Sequence, residues 1–74
     1  MLRIKDLRED RDLMQKDVAM VINTSQTNYS KYELGKINIP INTLIKLALF
    51  YNTSIDYMLG LTDEIKPYPR KKEK

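Results

Sequence analysis

The chain has 74 residues, 13 of them basic and 10 acidic, with no cysteine and no histidine. That length holds one small domain, near the lower limit for a hydrophobic core without staples; the lack of cysteine excludes disulfides and thiolate metal sites, and the lack of histidine removes the commonest general base and metal ligand. No apolar run approaches the roughly 20 residues of a membrane span and no signal-peptide core is present, so a soluble, cytoplasmic protein is expected. The net charge of +3 is unevenly spread: residues 1–65 carry eight basic and nine acidic side chains, whereas 66–74, KPYPRKKEK, carry five and one. Basicity therefore belongs to the end of the chain and says little about the body. Acids gather in residues 6–17, and between 18 and 32 the only charge is Lys31.

Taken in order, residues 2–12 place Ile4, Leu7 and Arg11 at helical spacing and predict a first helix. Leu13 plugs the junction to a second helix that starts near Gln15 and turns Val18, Ala19 and Ile22 to one apolar face. Ala19 is small where two helices crossing steeply need a small side chain. Asn23 suits the left-handed conformation of a helix stop, and Ser25 is a good N-cap for a third helix. That helix carries Tyr29 and Tyr32 inward, and Gly35 stops it. After the loop from Ile37 to Pro40, a fourth helix is predicted over Asn42–Tyr51, with Leu44, Ile45, Leu47, Ala48 and Tyr51 on a broad core face. Asn52 ends it, Ser54 caps a short fifth helix with Asp56 near its start, and Gly60 stops that. The domain is thus read as residues 1–62. From 63 to 74 periodicity fails, and prolines with a run of lysines predict a flexible basic tail.

The outer face of the third helix carries the chemistry. Gln26, Thr27, Asn28, Ser30 and Lys31 are hydrogen-bonding groups with no acid among them. Gln and Asn can make bidentate contacts to adenine, Lys reaches guanine, and a Thr methyl meets a thymine methyl, all in the major groove of DNA. Polarity alone points first to the solvated side of an ordinary surface helix. The conjunction with a small Ala, a helix-stopping Asn and a Ser cap at this spacing favours a reading surface of Gln26, Thr27, Asn28 and Lys31.

Across residues 2–62 the chain resembles the Cro/CI-type (xenobiotic-response-element-like) helix-turn-helix family of small prokaryotic and phage regulators. Members commonly read LSQxxLAxxLGVSxxxISxxExGxxxP and then LxxLAxxLxVSxDYLLG; here the stretches are LMQKDVAMVINTSQTNYSKYELGKINIP and LIKLALFYNTSIDYMLG. The resemblance implies an all-α, lambda-repressor-like bundle of five short helices. It implies an ion pair between Arg8 and Glu33 that ties the first helix to the end of the third. It also implies that Gln15 meets a DNA phosphate and braces the third helix, although on chemistry alone a solvent-facing glutamine is an equal alternative. Lys16 and Ser30 would add phosphate contacts. The family loop after the third helix follows the DNA backbone, which assigns Lys36 and Asn38 to phosphate; this loop is less basic than usual. A second departure is Met14, where the family usually has a capping Ser or Thr, a loss of about 1 kcal/mol that Asp17 offsets through the helix dipole.

The function expected is a sequence-specific transcriptional regulator, most simply a repressor, bound to double-stranded DNA as a homodimer on an inverted repeat with its third helix in the major groove. Tyr57, Met58 and Leu61 are assigned to the dimer face, with Met58 and Leu61 exposed. A protein-interaction module of antitoxin or anti-repressor type on the same fold is the alternative. No catalytic residue, metal ligand or cofactor site is identified, so an enzyme is not expected.

Overall fold

The computed structural model describes residues 2–69. They form α1 (Ile4–Asp10), α2 (Gln15–Val21), α3 (Gln26–Glu33), α4 (Ile41–Phe50) and α5 (Ile55–Met58), with no strand among the described residues. Each of these helices stops in the same way. The next-but-one residue after the last helical turn has positive φ: Asp12 at 55°, Asn23 at 58°, Gly35 at 72°, Asn52 at 53° and Gly60 at 78°. Its amide donates back three residues, and the following amide donates back five, as in Thr24 to the Ala19 carbonyl at 2.9 Å and Thr53 to the Ala48 carbonyl at 2.9 Å. This is the Schellman closure, which satisfies carbonyls that the helix end leaves open. Only glycine adopts that conformation without strain; Asn and Asp tolerate it best among the rest. The sequence supplies one of these three residue types at every stop, and this repeated device is why such short helices have sharp ends.

Three of the starts, those of α2, α3 and α5, also have side-chain caps. Ser25 Oγ accepts the Asn28 amide and Ser54 Oγ the Tyr57 amide, each at 3.0 Å. At α2 the side chain of Met14 offers no comparable cap, yet the Asp17 carboxylate accepts the Met14 amide at 2.8 Å. Asp17 thus supplies the reciprocal half of a capping box, a contact more specific than the dipole effect expected of it.

The core gathers Ile4 and Leu7 of α1, Val18 and Ala19 of α2, Tyr29 and Tyr32 of α3, Leu47 and Ala48 of α4, Met58 of α5, and Ile22 and Tyr51 just beyond helix ends. Fully burying a side chain such as Ile4 or Leu47 is worth about 1.5–3 kcal/mol, so a bundle this small leans on few residues. Arg11 follows the apolar spacing of α1 for a different reason. Its guanidinium lies 5.7 Å and 5.4 Å from the ring centroids of Phe50 and Tyr51, and it donates to the carbonyls of both, at 3.3 Å and 3.2 Å. It therefore closes the C-terminal end of α4.

Two expectations are corrected. Met58, assigned to an exposed dimer face, is 0% exposed. In a four-residue helix the turn from Ile55 brings position 58 inward, where the unbranched Met joins the core cluster; the Arg3 amide also donates to its carbonyl at 2.8 Å. Ile45, expected in the core, lies instead on the outer side of α4, whose broad apolar run exceeds what one neighbouring short helix can cover. Of the other residues assigned to self-association, Leu61 is exposed, while Tyr57 is half-buried beneath the Arg3 guanidinium, 4.3 Å from its ring centroid. Helix α4 also begins and ends one residue earlier than the spacing suggested.

Residues 63–69, the first part of the expected tail, carry no helix but are tied to the body. Thr53 Oγ1 donates to the Ile65 carbonyl, and the Tyr68 hydroxyl donates to Asp56 at 2.8 Å. The rest of that tail, RKKEK at 70–74, lies outside the described residues. Among the described residues no helix is long and apolar enough to cross a membrane.

Asp12 combines left-handed strain with a negative charge at the C-terminal end of α1. Replacing it by glycine, Asp12→Gly, is expected to raise the unfolding free energy by about 0.5–1 kcal/mol, read from the midpoint of urea unfolding at an unchanged slope.

Candidate nucleic-acid interface

The turn between α2 and α3 is built from side chains as well as backbone. Ala19 is 2% exposed at the crossing of the two helices, where a larger side chain would push them apart. Beyond Asn23, the Thr24 hydroxyl accepts from Asn28 Nδ2 at 2.8 Å, and the same nitrogen donates to the Tyr32 hydroxyl at 3.2 Å. The two protons of the Asn28 amide are thereby spent inside the fold. Its carbonyl oxygen is left for an outside donor, which is half of what a bidentate adenine contact requires. The sequence carries a signal for this, since Thr and Asn four residues apart around a helix start can bond locally.

The outward face of α3 leaves Gln26, Thr27 and Lys31 exposed and Ser30 half-buried. Together with Gln15 at the start of α2 they line one polar depression of about 490 Å³, with no acidic side chain in its lining. The structure thus brings together residues from two helices that sequence reasoning had given to base reading and to phosphate contact. Lys16 is exposed beside Gln15, and Lys36 is exposed beyond the end of α3, but neither lines the depression. Asn38 is placed elsewhere, in a separate depression of about 420 Å³ with apolar neighbours including Leu2, Ile39 and Leu44. No group of three or more Asp or Glu side chains among the described residues is arranged to hold a metal.

A buried polar cluster sets the angle of this face. Arg8 Nε donates to Glu33 Oε2 at 2.7 Å and Arg8 Nη2 to Oε1 at 3.2 Å, a two-pronged pair whose side chains are 12% and 4% exposed. The third prong, Nη1, donates to the Leu13 carbonyl at 2.9 Å. Gln15 Nε2 donates to Glu33 Oε1 at 3.0 Å. One carboxylate at the end of α3 therefore binds α1 and the start of α2, while Arg8 itself holds the α1–α2 junction. Gln15 is held by Glu33 directly, and this fixes its amide at the rim of the polar depression.

Burial works to raise the Glu33 pKa. Hydrogen bonds, first from Arg8 and then from Gln15, together with the Arg8 charge, outweigh it and hold the carboxyl below its ordinary range. The Tyr29 and Tyr51 hydroxyls are buried without a hydrogen-bond partner among the described residues. Burial, and after it the negative charge of Glu33, pushes both phenols up, Tyr51 to about 12.

A carboxyl held below its unfolded-state value contributes stability that is present above that value, 4.5, and is lost as pH falls through the folded one. The variant Glu33→Gln leaves Arg8 buried without its counter-charge and is expected to cost about 3–5 kcal/mol at neutral pH. Urea unfolding across the acid range should show a flatter acid limb than in the parent protein.

A family profile described as helix-turn-helix matches residues 4–58. The HTH-type transcriptional regulator YobD of Bacillus subtilis, described as uncharacterized, is 34% identical over 70 residues, 95% of this chain and 62% of YobD. The HTH-type transcriptional regulator ImmR of the same organism is 38% identical over 63 residues, 85% of this chain and 49% of ImmR. The cryptic phage CTXphi transcriptional repressor RstR of Vibrio cholerae is 42% identical over 53 residues, 72% of this chain and 48% of RstR. The chain spans about half to three-fifths of the length of these curated relatives. With its five-helix, strand-free architecture and its α2–turn–α3 unit inside the matched region, this chain belongs to the Cro/CI-type helix-turn-helix family, on the all-α, lambda-repressor-like fold.

Proposed function

We propose that the chain is a sequence-specific DNA-binding transcriptional regulator, most simply a repressor, that lays α3 in the major groove and occupies an inverted-repeat operator as a homodimer. The observation that carries this reading is the acid-free polar depression formed by Gln15, Gln26, Thr27, Ser30 and Lys31. Duplex DNA repels acids and offers base edges that amide, hydroxyl and ammonium groups can pair with. The printed descriptions of ImmR as a transcriptional regulator and RstR as a transcriptional repressor support the same reading.

Within it, Gln26, Thr27 and Lys31 read bases. Asn28, whose amide protons hold the turn, contributes its carbonyl oxygen, an acceptor for a cytosine or adenine amino group. Gln15, Lys16, Ser30, Lys36 and Asn38 meet phosphates and fix the register of α3. One domain of this size covers a modest stretch of duplex, so useful affinity calls for two copies on half-sites about one helical turn apart. A protein-interaction module on the same fold is the second reading, favoured by the apolar groove on the outer side of α4.

Selection of bound sites from random duplex DNA near physiological salt decides between them. An enriched inverted repeat supports the proposal; salt-sensitive binding without enrichment supports the interaction module. On the selected site, Gln26→Ala should weaken binding by about 1–3 kcal/mol and relax the preference at one base pair, whereas Lys16→Ala should weaken all sequences alike and lower the salt slope by about 1. Competition titrations with single-base variants, repeated at several salt concentrations, separate the two effects.

A further inference from the structure

Asn28, half-buried on the flank of α3, is held through both its backbone and its side chain. Its backbone amide donates to Ser25 Oγ at 3.0 Å, and its Nδ2 donates to the Thr24 hydroxyl at 2.8 Å and the Tyr32 hydroxyl at 3.2 Å. Both side-chain acceptors are themselves fixed. The Tyr32 ring is 6% exposed and packs edge-on against Tyr29, with centroids 6.5 Å apart. The Thr24 amide closes α2 on the Ala19 carbonyl at 2.9 Å. An Asn amide has two protons on its nitrogen, and with both engaged it cannot turn over without losing these bonds. What it offers to a ligand is Oδ1, an acceptor.

We infer that Thr24 and Tyr32 are specificity-determining residues: by engaging both protons of Asn28 they make it a reader of amino against keto groups. This rests on the DNA reading of α3 proposed above and adds what one of its positions recognises. In the major groove adenine N6 and cytosine N4 present amino protons, whereas guanine O6 and thymine O4 present lone pairs. A lone carbonyl acceptor therefore takes adenine or cytosine and opposes guanine or thymine. An unrestrained Asn behaves differently, because an Nδ2 proton also reaches adenine N7, and that second bond singles out adenine. The consequence is a half-site position degenerate between adenine and cytosine, set by two side chains that stand behind the one touching the base.

Selection of bound sites with the full chain, followed by competition titration with base analogues, tests this. Asn28→Ala marks the position, as the one where base preference disappears. In the parent protein that position should accept adenine and cytosine equally and disfavour guanine and thymine by about tenfold. There 7-deazaadenine, which lacks the N7 acceptor, should bind as adenine does, and unsubstituted purine, which lacks the amino group, should bind more weakly. Thr24→Val combined with Tyr32→Phe frees both protons. Adenine should then be preferred over cytosine by about tenfold, and 7-deazaadenine should lose that advantage. Urea unfolding checks the fold of each variant, and the analogue titrations of the parent chain decide the matter without them. A strict adenine that requires N7 overturns the inference while leaving the DNA reading intact. So does a preference for guanine or thymine, the result of an amide facing the other way. Equal weakening of all sequences in the variants, the result of a purely structural buckle, overturns it too. Absence of any enriched sequence overturns the DNA reading itself, and the inference with it.

Discussion

The pairing of Arg8 with Glu33 is the contact on which the arrangement of the first three helices turns. A bundle this small has too little core to fix helix angles by packing alone, and a carboxylate at the end of α3 that takes bonds from Arg8 and Gln15 fixes three chain segments at once. Desolvating such a pair takes back much of what its attraction gives. Its contribution is directional: it permits one relation between α1, α2 and α3, and breaking it leaves a charge in a nearly closed site. The cluster is mostly satisfied, since each prong of Arg8 has an acceptor.

Orientation then passes outward to the surface. Glu33 holds the nitrogen of the Gln15 side chain, and Gln15 lines the same depression as Gln26, Thr27, Ser30 and Lys31. On the opposite flank of the turn, Asn28 ties Thr24 to Tyr32. The outward face of α3 is thus positioned by part-buried hydrogen bonds at both ends of the helix. Preorganisation of this kind lowers the ordering cost of binding.

Much of this was legible in the sequence because it rests on local rules. The helix stops at Asn23, Gly35, Asn52 and Gly60 and the caps at Ser25 and Ser54 follow from the conformations those residues tolerate, and all are found. Arg8 and Glu33 are 25 residues apart, and no local rule joins them; the family resemblance did. What escaped was the outcome of competition between neighbours. Spacing gave α4 one broad apolar face, and only the packing reveals that Leu47 and Ala48 turn inward while Ile45 turns out. Met58 looked dispensable to the core because the apolar residues around it outnumbered the places in a short helix. The same limit hid the local bonds of Asn28, whose side chain suits both a base edge and a turn, and the docking of Tyr68 on Asp56 across a stretch without periodicity.

The most direct test of the account is to follow the backbone amide resonances of ¹⁵N-labelled protein as a duplex bearing its selected site is added. Large shifts are expected at residues 15–16, 25–31 and 36–38, with the amides of Glu33 and Leu13 moving little because the clamp is already formed. Large shifts centred on residues 41–49 and 65–69, with α3 unperturbed, would contradict it.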